Sequence, residues 1–363
     1  MNVESTVKER YSRGAKQREE SLCCPVDYDS GLLDMLPDEI IARDYGCGDP
    51  SRYVRPGDTV LDLGSGGGKI CYMAAQLTGP DGQVIGVDMN DAMLALARKH
   101  QDAMAAKLGN HRVRFLKGHI QDLALDLEAL EQYLAEHPVT DQASYADLRS
   151  REHRQRREQP LIADASVDLV ISNCVLNLVS DHEKQQLVQE IFRVLKPGGR
   201  IAISDIISDR PIPAMLKNDP ELWSGCLSGA FQETEFLQAF AAAGFQGVTY
   251  DKWEPTPWQV IDDIVFRSVT LTAARALSDE STSTGKSLIY RGPFAAVTDD
   301  SGQQFRRGER TPVSAAQHAL FTDAVYRDNF IDTVVAPSGT ETTCCAGPLD
   351  ELQQPRAGNA RCC

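Results

Sequence analysis

An apolar strand that runs straight into a glycine cluster, TVLDLGSGGGK from Thr59, constrains this chain more than any other segment; a periodic helix follows, and a second apolar strand ends on Asp88. Glycines at a strand-to-helix turn permit φ > 0 and let backbone N–H groups approach a ligand, while the next helix presents its positive end to it. An acid closing the second strand suits a ribose diol. The stretch from Thr59 to Asn90 therefore reads as one βαβ unit with a cofactor crevice.

A nicotinamide fingerprint needs G-x-G-x-x-G, but counting from Gly64 and Gly66 puts Lys69 where the third glycine belongs. What stands instead is D-x-G-x-G-x-G from Asp62 to Gly68, which resembles motif I of class I S-adenosylmethionine methyltransferases. The fold class this implies is α/β, a Rossmann-like, mostly parallel, doubly wound sheet. Apolar runs at 113–118, 167–173 and 199–206 extend that sheet, and GFQGVTYDKW with DIVFRSVTLTAARA supplies a last antiparallel pair. A helix over Glu183 to Leu195 is expected to stop at Lys196-Pro197-Gly198-Gly199.

Shifts in composition divide the 363 residues into four stretches. Residues 1–55 read as a polar leader and a cap segment, and 56–280 as the methyltransferase domain. Within it, 123–160 is too long for an ordinary connection and reads as an inserted helical pair, its RSREHRQRREQ run a solvated helix face. STSTG from Ser281 is a linker candidate; 281–340 form a small C-terminal β-rich appendage and 341–363 a flexible, Cys-containing tail.

The formal charge of 37 − 52 = −15 argues against nucleic acid or an anionic membrane as partner and favours a small molecule. The N-terminus is polar, and no apolar run approaches the roughly 18 residues of a membrane span, so a reducing cytoplasm is the expected compartment. Ten cysteines there should be free thiols, ligands or catalytic groups.

Three cysteines stand alone in telling places: Cys47 in the cap, Cys174 directly after the fourth strand, and Cys226 after the fifth, among the small residues of WSGCLSGA. Ligands of a doubly wound sheet collect beyond the carboxyl ends of its strands, so Cys174 and Cys226 can converge near the cofactor. Zinc explains them poorly, because no C-x₂-C pair or H-x₃₋₅-H is present and the seven histidines are scattered. Soft thiolates select a soft, thiophilic substrate. Cys71, inside the helix after the glycine loop, reads as a small buried hydrophobe. Cys23-Cys24, Cys344-Cys345 and Cys362-Cys363 are vicinal pairs. Their Cα atoms, about 3.8 Å apart, fall short of the about 4.4 Å usual for a disulfide, so they read as free dithiols able to chelate or to resolve a disulfide elsewhere. No His or carboxylate is conspicuous at the strand exits to serve as the general base that methylating oxygen or nitrogen usually needs.

Together the marks CCP at Cys23, YGCGDP at Tyr45, LDLGSG, GVDM, SNCVLNL and WSGCLSGA resemble the arsenite S-adenosylmethionine methyltransferases from about Ser21 through Ala273. The resemblance implies that Cys47, Cys174 and Cys226 hold trivalent arsenic, that Cys23 or Cys24 serves a redox cycle, and that Tyr45 lies near the reacting methyl. It assigns Asp62, Gly64, Ser65, Gly66 and Gly68 to the methionine end of the cofactor, Asp88 to the ribose and Met89 to the adenine face. Ile120 and Gln121 go to the adenine edge, and Asn173 also goes to the cofactor site. A thiol reductant, thioredoxin or glutathione, is the implied partner. Departures are the long 123–160 insertion, Lys69-Ile70 for a common Arg-Asp pair, and Gln121 for a common acid. Two alternatives stay open at this point: a methyltransferase acting on another small molecule, and a thiol-based arsenical or metal binder.

Overall fold

Val60, Val84, Leu169 and Ile171 are buried on one face of a central sheet and Leu61, Leu63, Ile85 and Val87 on the other. Strands that are apolar in both directions are satisfied only between two layers of helices. The computed structural model, which describes residues 3–17, 19, 26–43, 45–277 and 283–333, shows that arrangement. Its strands are β1 (Thr59–Leu63), β2 (Gln83–Asp88), β3 (Val113–Lys117), β4 (Val167–Asn173), β5 (Leu195–Ser208), β6 (Phe231–Gln232), β7 (Phe245–Trp253), β8 (Gln259–Ile261) and β9 (Ile264–Arg275). The order is β3-β2-β1-β4-β5-β9-β7, with β6 and β8 as short additions. Neighbours among β1 to β5 are parallel, and β9 runs antiparallel to β5 and β7, as the sequence implied. The order reverses between β1 and β4. A crevice opens there, beyond the strands' carboxyl ends.

Two local expectations need correction. The helix spans Lys184–Val194, and Lys196-Pro197-Gly198-Gly199 lies inside β5 rather than before it. Leu195 pairs with Val167 and Arg200 with Leu169, so the ladder slips between them and takes up the Pro-Gly run as a bulge. Likewise STSTG is not simply a linker, since Ser283 already begins β10 (Ser283–Tyr290).

The remaining strands are β11 (Ala296–Thr298), β12 (Gln304–Arg306), β13 (Arg310–Ser314) and β14 (Phe330–Asp332). A sheet ordered β13-β10-β14 and the β11-β12 hairpin surround a core of Leu288, Tyr290, Phe305, Phe321 and Phe330. The helix Ala315–Phe321 was not foreseen, although Ser314 and Gln317 form a capping box at its start. This region covers the exposed edge of β7. Tyr326 Oη donates to Gly247 O at 2.6 Å and Asp300 Oδ2 accepts from Gly247 N at 2.8 Å, satisfying backbone groups that an open edge would leave free.

The 123–160 insertion does contain two helices, Leu127–Glu136 and Gln142–Glu158, started by Asp126 and by an Asp141–Ser144 capping box. Its basic run is mostly solvent-exposed, with Arg149 paired to Glu152 and Arg156 to Asp122. Among the described residues no helix is long and apolar enough to cross a membrane. Cys23, Cys24 and the 341–363 tail lie outside the described residues.

Candidate active site

The turn after β1 depends on glycine, most tightly at Gly64. Gly64 has φ +69°, and a Cβ there would sit 2.4 Å from Val175 Cγ1. Its N–H and that of Ser65 donate to Val87 O at 2.8 and 3.0 Å, which pins the loop to the end of β2. Gly64→Ala is therefore expected to cost about 1–2 kcal/mol of backbone strain plus about 1–3 kcal/mol of overpacking. Gly57 has φ +85° with open space where its Cβ would be, so Gly57→Ala should show the strain alone. Thermal melts of the two variants check this; equal shifts would contradict it.

Asp88 faces this loop from the end of β2. Its Oδ2 accepts from Gly66 N and its Oδ1 from Asn90 N, both at 2.8 Å. Burial pushes its carboxyl above the usual range, and these backbone donors oppose that rise. A cavity of about 650 Å³ lies in front, lined by Asp62, Gly64, Ser65, Gly66, Asp88, Met89, Ile120, Gln121 and Asn173, together with Tyr45 and Cys174. Gly68 does not line it and instead opens the helix Lys69–Thr78 as a left-handed N-cap. Ile70 reaches the cavity, whereas Lys69 turns away and stacks its ammonium 3.7 Å from the centre of the Tyr28 ring. Ser65 Oγ and His119 Nδ1 belong to lining residues, and each is buried with no hydrogen-bond partner among the described residues. The cavity volume suits a ligand the size of S-adenosylmethionine, which could partner these atoms.

Behind Cys174, the three lone cysteines meet in one buried cluster with Ile206, Leu227 and Phe266. Exposure is 4% for Cys47, 9% for Cys174 and 3% for Cys226, so a bound atom would be shielded from water. Cys47 comes from a loop pressed against β4. A Cβ on Gly46 would lie 2.2 Å from Asn173 Nδ2, and Asn173 Oδ1 accepts from Cys47 N at 2.9 Å and Gly48 N at 3.1 Å. The Asn173 amide is thus committed to seating Cys47 as well as bordering the cavity. Cys174 and Cys226 both take φ +63°, a backbone conformation that L side chains adopt only under constraint. The Cys226 thiol donates to Cys174 O at 3.0 Å. Cys71 is buried as expected, yet its thiol donates to Asp62 Oδ2 at 3.2 Å.

Two features escaped sequence reasoning. The first is Asp205, a buried carboxylate at the exit of β5, where none had seemed conspicuous. One of its oxygens and the sulfurs of Cys47 and Cys174 all lie within 4.8 Å of one another. Burial pushes its carboxyl up to about 7, against backbone donors at Ile206, Asn177 and Leu176. The second is the leader, which is a helix, Val3–Gly14, lining the cavity with Glu4, Val7, Lys8 and Tyr11. Asn90 Nδ2 donates to Lys8 O at 2.9 Å, and Arg10 Nη1 to Ser224 Oγ at 2.9 Å, so the helix bridges the Asp88 side to the Cys226 loop. Tyr11 Oη lies 3.9 Å from Cys226 Sγ, and burial with both cysteines nearby holds its hydroxyl firmly protonated. Its ring meets Tyr45 edge-on at 6.1 Å. Tyr45 Oη in turn accepts from Glu19 N at 2.9 Å and donates to Gly14 O at 3.1 Å.

Residues 55–144 and 150–244 match the family described as a methyltransferase domain, and residues 278–358 match a domain of unknown function. An arsenite methyltransferase of Aquipseudomonas alcaligenes is 31% identical over 311 residues, covering 82% of this chain and 80% of its own. The arsenite methyltransferase of Homo sapiens is 29% identical over 315 residues, covering 82% of this chain and 73% of its own. The crystal structure of CrArsM, an arsenic (III) S-adenosylmethionine methyltransferase from Chlamydomonas reinhardtii, aligns with a TM-score of 0.58 at 28% identity, over 85% of this chain and 96% of that one.

Proposed function

Because the chain belongs to the arsenite methyltransferase family, we propose that it transfers a methyl group from S-adenosylmethionine to trivalent arsenic held by the thiolates of Cys47, Cys174 and Cys226. The observation that carries the thiolate part is the convergence of these three cysteines in one buried cluster, with Cys174 also lining the cavity.

S-adenosylmethionine, when bound, supplies an electrophilic methyl on a sulfonium. In this reading Asp88 holds the ribose diol, the loop from Asp62 to Gly66 takes the methionine end, and Met89, Ile120 and Gln121 surround the adenine. Cys174 stands where the two halves of the site meet. Arsenite enters by exchanging each As–OH for As–S, with the thiol proton leaving as water. Apolar neighbours exclude solvent, and the fixed turns orient the arsenic lone pair toward the methyl. No general base is required for the transfer itself. Methylation raises arsenic formally to the pentavalent state. Its return to the trivalent state takes two electrons from a pair of thiols, which become a disulfide. Cys23 or Cys24 is the proposed participant from this chain, and thioredoxin or glutathione the proposed external reductant.

The test is to incubate the full chain with arsenite, S-adenosylmethionine and a thiol reductant and to separate the arsenic species. Methylated arsenic should form together with S-adenosylhomocysteine. Its absence from protein that demonstrably binds the donor would overturn the proposal.

A further inference from the structure

Cys174 and Cys226 lie on separate loops, both at φ +63°, and something must hold two such turns in register. The fully buried side chain of Asn177 stands between them. Its Nδ2 is within hydrogen-bond distance of Asp205 Oδ1 at 2.7 Å, Ile206 O at 2.7 Å and Cys226 O at 3.2 Å, so its two N–H groups are shared among three acceptors. Asp205 takes further bonds from Leu176 N at 2.9 Å and Ile206 N at 2.8 Å. Leu176 and Asn177 belong to the short turn that follows Cys174. The amide and the carboxylate therefore tie the Cys174 turn, the end of β5 and the Cys226 backbone to one another.

We propose that Asn177 and Asp205 are positioning residues that preorganise Cys174 and Cys226 as a dithiol clamp for trivalent arsenicals. This rests on the thiolate reading above. A clamp whose two turns are held in place by these bonds loses little freedom when it closes on arsenic, and that saving appears as affinity. Methylarsenite is the fitting probe because it has two exchangeable positions. Each As–OH meets one S–H, an As–S bond forms and water leaves, with no change of oxidation state.

The experiment uses the full chain carrying Asn177→Ala or Asp205→Asn, the latter keeping volume and one acceptor oxygen. The KM for methylarsenite, kcat, and the Kd for S-adenosylhomocysteine are measured for each. Expected is a rise of about 30-fold in KM with the S-adenosylhomocysteine Kd moved less than about twofold, and a smaller rise for Asp205→Asn. General structural damage would instead lower kcat through the folded fraction and leave KM alone. An unmoved KM in both variants, or loss of S-adenosylhomocysteine binding in both, overturns the proposal. Cys174→Ser serves as the separating arm: if it too keeps the parent's KM, the thiolate reading has failed; if it loses methylarsenite turnover while the Asn177 and Asp205 variants keep the parent's KM, only the positioning proposal falls.

Discussion

Cys174→Ser is expected to lower arsenite methylation by about three orders of magnitude, beyond the roughly 10–100-fold typical when an outer partner of a metal ligand is lost. Serine keeps the shape of the side chain. The backbone at φ +63° should therefore persist, as should the Cys174 N–H bond to Ser204 O at 2.8 Å and the carbonyl that accepts the Cys226 thiol. What changes is the donor atom. A hydroxyl is hard and stays protonated, whereas a soft thiolate matches trivalent arsenic. The substituted atom borders the cavity beside Val175 and Gly64, so donor affinity should move less than about threefold. Steady-state turnover with arsenite and calorimetric binding of S-adenosylhomocysteine separate the two effects. Full turnover in the variant would remove the chelation model.

Asp88→Ala should act on the other half of the site and weaken donor binding by about 100-fold. The carboxylate is held by Gly66 N and Asn90 N, so its removal deletes the proposed ribose contact and also leaves two backbone donors without their acceptor. Each such loss costs about 1–3 kcal/mol when buried, and a combined effect near 2.7 kcal/mol corresponds to the stated factor. Arsenical binding without donor should be nearly unaffected, because the thiol cluster is held by other elements. A change in S-adenosylhomocysteine affinity below about threefold would show that Asp88 does not hold the ribose.

The two halves were not equally legible. Gly64, Gly66 and Asp88 announce the donor crevice because strand, loop and acid occur within one stretch, and their spacing is set by the βαβ turn itself. Cys174 could be placed because it directly follows β4, and β4 lies at the reversal of strand order beside β1. Cys226 was expected at the same crevice because it follows the fifth strand; how its turn meets Cys174, and where Cys47 sits, needed tertiary structure. Neither strand periodicity nor spacing says that the loop from Tyr45 is seated on Asn173, or that the Cys226 turn folds back onto Cys174 O. Asp205 was hidden in IAISDIIS, where it reads as the one charged residue in a mostly apolar run; a lone acid inside a strand buried on both faces was the available signal. Tyr11 was missed because the leader is polar on average. Its Val3, Val7 and Tyr11 recur at i, i+4 and i+8, the stripe of a helix that needs a surface to cover. The misplaced start of β5 has a different cause: Pro-Gly-Gly normally ends elements, and only pairing of Leu195 with Val167 overrides it.

Arsenic K-edge X-ray absorption of the full chain loaded with arsenite, without donor, examines the thiolate site most directly. The expected spectrum has three sulfur neighbours and no oxygen neighbour around arsenic, with one sulfur fewer in Cys226→Ser. Oxygen neighbours in the parent protein, or an unchanged sulfur shell after Cys174→Ser, would contradict binding by Cys47, Cys174 and Cys226.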